Sequence, residues 1–230
     1  MKTFAILLLS CFSTMISAQI CSCSEMPDLK ELISCKTTTF QNEAKIYWEF
    51  DCNLSWITFE NGGLKKKIFE LDKSEMEFSG RLGYQSWTEF ENSFLIENSL
   101  VSGCCQPDEY ILYNKNNGDK ISDLGTLVFI EKSGKKPFLL TLKGNDDLLF
   151  TDLSDSKSYV MNISTDKIDK TLENSDELYA ENLFQNVQMQ NGLLSIELRY
   201  KVSKKGKWKK KIITFDVNKA ENNNRHSALQ

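Results

Sequence analysis

Between residues 82 and 163 the chain repeats one short phrase: strand, turn, strand, turn. Strand-length segments at 84–90, 94–100, 110–114 and 120–124 make one set of four, and segments at 126–131, 138–142, 148–152 and 157–163 make a second. Short apolar or alternating runs separated by Gly, Asn, Asp and Ser specify antiparallel ribbons. A chain written this way is predicted to be all-β and built of consecutive antiparallel meanders.

The same grammar continues on both sides. Ile46, Trp48 and Phe50 alternate with Tyr47 and Glu49, and Leu54, Trp56 and Thr58 alternate with Ser55, Ile57 and Phe59. Glu60-Asn61-Gly62-Gly63 is a turn because Asn and Gly accept positive φ. Further turns fall at Asn116-Asn117-Gly118, Ser154-Asp155-Ser156, Asn191-Gly192 and Lys204-Lys205-Gly206, the last leading into a closing segment at 207–217. Residues 28–34, with Pro27 at a helix-start position, predict a short N-terminal helix of two turns. Residues 166–182 are acid-rich and read as a surface connection with one helical turn. The organisation expected is a leader at 1–18, a cysteine-containing arm with the helix at 19–43, a single all-β domain at 44–219 and a disordered tail at 220–230.

The segment at 110–125, YILYNKNNGDKISDLG, resembles the outer hairpin of a β-propeller blade: apolar strand, Asn-Gly turn, final strand. Strand–turn–strand units starting at 56, 110 and 148 are spaced irregularly but at blade-like lengths. The resemblance implies a propeller-like fold of about four blade-like sheets. The chain lacks the Trp-Asp dipeptide of WD40 repeats, and its one Gly-Gly pair, Gly62-Gly63, does not recur as the paired glycines of kelch repeats do. Four blades are few for a closed ring, so a β-sandwich or an open barrel stands as the alternative.

Lys2, the apolar run at 4–9 and the small pair Ser17-Ala18 form an export signal, with the cut expected after Ala18. The run is shorter than the roughly 20 residues of a membrane span, so no transmembrane segment is predicted. Leu8-Leu9-Ser10-Cys11 resembles a lipoprotein acylation box, which makes a lipid anchor at Cys11 the alternative to a secreted or periplasmic protein. Removal of the leader shifts the charge from −4 to 27 − 32 = −5. That mild acidity argues against a nucleic-acid partner.

Export places six cysteines in an oxidising compartment: Cys21, Cys23, Cys35, Cys52, Cys104 and Cys105. An even number there reads as disulfides. Adjacent Cys104 and Cys105 close on each other only through a strained ring, so the arrangement expected is Cys21 and Cys23 with that pair, and Cys35 with Cys52. A thiolate metal cluster is the sharper alternative, but Cys-x-x-Cys spacing and a nearby histidine are both missing. Neither a metal nor a cofactor is predicted.

The single histidine, His226, sits in the polar tail, which removes histidine-based nucleophile pairs and histidine metal centres from consideration. No Walker loop, dinucleotide fingerprint or nucleophile elbow is present. Two carboxylates suffice for glycoside hydrolysis, and Glu89, Glu91 and Glu97, or Asp146, Asp147, Asp152 and Asp155, are candidates; solvated strand faces carry such acids for solubility as well. The oxygen-rich run at 114–119 reads as a turn rather than a calcium loop.

Residues 201–211 hold seven lysines around Trp208. Lys204, Lys205, Lys207, Trp208, Lys209 and Lys210 are therefore the candidate binding face for an anionic glycan or envelope component, set against a solvated hairpin whose lysines guard an edge strand. Trp48, Trp56, Trp87 and Tyr47 would suit a sugar-stacking surface, or a core. The loop at 102–107, framed by Gly103 and Pro107, is a candidate partner-binding tip. These features together predict an exported, non-catalytic binding protein, with a carboxylate-dependent glycan hydrolase and a structural envelope-associated protein as alternatives.

Overall fold

The computed structural model describes residues 19–76, 86–99, 107–132, 136–144, 147–163 and 165–220. The leader at 1–18 with Cys11, the loop cysteines Cys104 and Cys105, Asp146, His226 and the tail from 221 onward lie outside the described residues. Ala220, assigned above to the tail, packs against the C-terminal core.

The protein is all-β, and every sheet is an antiparallel meander in chain order. The first sheet runs β1 (Thr38–Thr39), β2 (Lys45–Phe50), β3 (Leu54–Asn61) and β4 (Leu64–Asp72). The second has seven strands: β5 (Trp87–Glu89), β6 (Ser93–Asn98), β7 (Glu109–Asn114), β8 (Lys120–Glu131), β9 (Phe138–Lys143), β10 (Asp147–Asp152) and β11 (Lys157–Asn162). The third holds β12 (Phe184–Gln190), β13 (Leu193–Tyr200) and β14 (Lys209–Asp216). None of the three closes on itself, and their packing fits a sandwich; a ring of four blades is not seen among the described residues.

The expected pair of four-stranded units is in fact one sheet, because the break predicted between residues 124 and 126 does not occur. β8 runs through it for twelve residues. Gly125 there has φ +88°, and a Cβ at this position would collide with the Leu142 carbonyl of β9. The glycine marks a close backbone approach inside a strand, which in sequence looks the same as a turn. Gly125→Ala is accordingly expected to cost about 2–3 kcal/mol through left-handed strain and backbone collision. The measurement is a lower urea midpoint at unchanged slope.

Helices are few. α1 (Leu29–Leu32) is one turn, shorter than predicted, and buries Leu29. α2 (Thr165–Asn174) is longer than predicted: the acid-rich connection forms a ten-residue helix, with Ile168 fully buried in the C-terminal core. A 3₁₀ turn at Ala180–Leu183 then leads into β12. No helix among the described residues is long and apolar enough to cross a membrane.

Alternation along the strands of the large sheet sends neighbouring side chains to different cores. Phe94 and Ile96 meet the first sheet, while Leu95 between them joins Leu112, Leu124 and Leu139 in a separate cluster. Phe94 is the junction of the N-terminal core, with its ring 5.2 Å from Phe40, 5.7 Å from Phe59 and 5.3 Å from Tyr113. In the C-terminal core, Phe138, Leu140, Leu142, Leu148 and Phe150 of the large sheet meet Leu194, Ile196 and Leu198 of β13.

The disulfides differ from the expected pairing. Cys21 joins Cys35, and Cys23 joins Cys52. The physical reason is the course of the arm: Cys21 forms a parallel bridge with Phe50 at the end of β2. That placement sets Cys23 beside Cys52 just past β2, and the turn at α1 brings Cys35 back to Cys21. Cys21–Cys35 closes the arm on itself, and Cys23–Cys52 ties it to the first sheet.

Candidate functional site

Where β8–β10 of the large sheet face the third sheet, a cavity of about 640 Å³ opens. That volume lies within the range of small-ligand pockets. One wall comes from register: Phe129, Leu140 and Phe150 lie side by side on β8, β9 and β10, and one pleat along, Glu131, Phe138 and Asp152 do the same. The phenylalanines form a continuous aromatic surface, with Phe138 5.6 Å from Phe129 and 5.4 Å from Phe150.

The opposite wall is Val187 and Met189 of β12 together with Val217. β12 presents these because it alternates half-buried Val187 and Met189 with exposed Asn186, Gln188 and Gln190. A bulge between Gln185 and Gln188, with Asn186 at φ +52°, re-aims the strand just before them. Asn191 and Gly192, both at positive φ, turn the chain into β13, and the Asn218 amide donates to the Asn191 carbonyl at 3.3 Å. The cavity is thus apolar in its walls and polar at Glu131, Lys136, Asp152, Asn191 and Asn218. Sequence reading had named Asp152 only as one of several acids. The other lining residues were missed, because two sheets distant in sequence supply them.

The lysine hairpin lies at the far end of the third sheet. Lys204, Lys205, Lys207, Lys209 and Lys210 are all exposed, and Lys209 and Lys210 stand on β14, an edge strand. Trp208 is half-buried against the C-terminal core. Its ring carries the Arg199 guanidinium at 4.5 Å and the Lys201 ammonium at 5.5 Å. Cations already occupy the indole face, so it is not an open stacking platform of the kind foreseen. Lys210 pairs with the largely buried Glu197 at 2.8 Å. Its bond to Lys210 holds the Glu197 carboxyl below the usual carboxylate range, with a further hydrogen bond from Asn186.

The other aromatic candidates are core residues. Trp48, Trp56 and Tyr47 are each 5% exposed, and Trp87 packs against the N-terminal cluster. Trp48 meets Phe69 edge-on, and Lys67 lies 4.1 Å over Trp56. Strands covered on both faces bury their aromatics regardless of alternation.

Most candidate acids are engaged locally. Glu89 accepts from buried Lys115 at 2.9 Å and from the Gln41 backbone N–H, and Glu97 accepts from the Ser86 hydroxyl. Asp155 pairs with Lys157, and Asp152 caps the turn at the Ser154 N–H. At 114–119, Asn114 and Asn117 accept from the backbone N–H groups of Asn116 and Asp119 while Lys66 pairs with Asp119, which is a turn's pattern. Among the described residues no group of three or more His, Cys, Asp or Glu is placed to hold a metal ion.

One acid stands apart from the candidates: Glu49, which alternation along β2 left without an assigned role, is 1% exposed. It accepts from Trp56 Nε1 at 3.1 Å, from the Thr58 hydroxyl, from the Ile20 N–H at 3.0 Å and from Lys65 Nζ at 3.3 Å. Burial raises its pKa, but the hydrogen bonds outweigh this and hold the carboxyl below its ordinary value. β2 is buried along five of its six residues, so period two carries no orientation there. Compared with known proteins, the chain matches no family model and no curated protein.

Proposed function

We propose that the chain is an exported, non-catalytic binding protein that takes a small amphipathic ligand into the cavity between the large sheet and the third sheet. The observation carrying this reading is the pairing of one aromatic wall, Phe129, Phe138 and Phe150, with a polar set of side chains at its edge. An apolar ring or chain would lie on the phenylalanines, and hydroxyl or amide groups would meet Glu131, Asp152, Asn191 and Asn218. Export is supported by the leader-like N-terminus and by two disulfides, which form and persist in oxidising compartments.

The test uses anilinonaphthalene sulfonate, a probe with apolar rings and one charged group. It is expected to bind the native protein with enhanced fluorescence. Val187→Trp, which fills the cavity from a half-exposed strand position, should weaken binding at least tenfold, about 1.4 kcal/mol. Unchanged affinity in a folded Val187→Trp variant would sink the reading.

A second reading is favoured by Glu131 and Asp152, two carboxylates that border one cavity with a single strand between them. Two ladder spacings put their backbones roughly 10 Å apart, within reach of an inverting glycosidase geometry. Glycan hydrolysis abolished by Asp152→Asn, with probe binding retained, would establish catalysis over simple binding. The lysine hairpin serves in either case as a separate cationic contact for an anionic partner. Changing Lys204, Lys205, Lys209 and Lys210 to glutamine should shift elution from a heparin-like resin to lower salt, and unchanged elution would remove that role.

A further inference from the structure

Gln19, the residue that follows the expected leader cut, is held by its side chain to the arm and to β2. Gln19 donates its side-chain amide to two backbone carbonyls, Cys35 O at 2.7 Å and Trp48 O at 2.8 Å. Beside it, the Ile20 N–H donates to the buried Glu49 carboxylate at 3.0 Å, and the Phe50 N–H donates to the Ile20 carbonyl at 2.9 Å. Cys21, two residues on, is fixed to Cys35, the residue whose carbonyl Gln19 grips.

We propose that Gln19 is the N-terminal residue of the mature chain and that the fold keeps it as an open glutamine, protected from closing to pyroglutamate. This rests on the export reading, which places the cut after Ala18. A free N-terminal glutamine is prone to cyclise: its neutral α-amine attacks its own side-chain Cδ, a C–N bond forms, and the Cδ–Nε2 bond breaks. The leaving nitrogen takes a proton from the amine and departs as ammonia. In this protein the leaving nitrogen is the atom that both carbonyls hold. Cyclisation would remove the donor from Cys35 O and Trp48 O together, and ring closure would pull the side chain out of its seat. The open form is also the one that keeps an α-ammonium one residue from the Glu49 carboxylate. The first residue thereby acts as a peg that the two disulfides and the buried acid hold in place.

The experiment follows the N-terminal peptide of protein exported through its own leader, by mass spectrometry. The expected peptide begins at Gln19 and carries the open amide. On incubation at mildly alkaline pH, the folded, oxidised protein should lose ammonia from Gln19 at least roughly tenfold more slowly than the reduced, denatured chain, since two hydrogen bonds must first break. A chain beginning at Gln19 that is already cyclised, or that cyclises equally fast folded and unfolded, overturns protection while leaving export standing. A chain that retains its leader overturns the export reading and the proposal with it, whereas a leader cut at another position, Cys11 included, overturns the proposal and leaves export standing.

Discussion

Glu49→Ala is expected to lower the stability of the protein by about 3–4 kcal/mol, because it leaves several buried or half-buried donors without an acceptor at once. Trp56 Nε1, the Thr58 hydroxyl, the Ile20 N–H and Lys65 all converge on this one carboxylate. Glu49→Gln keeps an acceptor oxygen and should cost less, about 1–2 kcal/mol. The two substitutions separate hydrogen bonding from charge. The folded pKa of Glu49 is lowered, so its charge contributes stability fully above the ordinary glutamate value, and that contribution is lost as pH falls through the folded value. Denaturation midpoints across the acid range should fall steeply for the native protein and more gently for Glu49→Gln. Parallel profiles would show that another group governs acid unfolding.

Removal of the disulfides has the larger combined effect. The Cys21–Cys35 bridge spans 14 residues and Cys23–Cys52 spans 29. Loop-closure entropy assigns about 3 and about 3.5 kcal/mol to them. The loops share residues 23–35, so loss of both should fall short of the sum, at about 5 kcal/mol. That approaches the whole stability of many domains. Reduction is therefore expected to release the arm and to expose the N-terminal core around Phe50, Phe59 and Met76, all fully buried in the native fold. Hydrogen exchange resolves this: amides of β2 and β3 should lose protection on reduction before those of β9 and β10, whose core holds no cysteine among the described residues. Uniform loss across both cores would mean that the molecule unfolds as one unit.

Single residues show where sequence reading succeeds and where it stops. The Asn191-Gly192 turn was legible because only a few residue types accept positive φ, and the structure has both there at positive φ. Gly125 used the same chemistry for a different purpose, so the sequence suggested two sheets where one exists. Glu49 could not be placed from the sequence because alternation assigns faces only when one face is wet. The cysteine pairing failed for a related reason: spacing along an extended chain does not reveal that the arm lies parallel to the end of β2. The cavity was invisible, since Phe138 and Val187 are some fifty residues apart and meet only when the third sheet docks.

By itself, the sequence determined what is local: strand period, turn chemistry, the antiparallel order of neighbouring strands and a body of the chain without histidine. Those follow from backbone sterics and from side-chain identity, which act over a few residues. Tertiary structure alone decided which faces are covered, which cysteines meet, and that a carboxylate inside the first sheet binds the incoming arm. Burial and pairing depend on which distant surfaces come into contact, and that information belongs to no single segment.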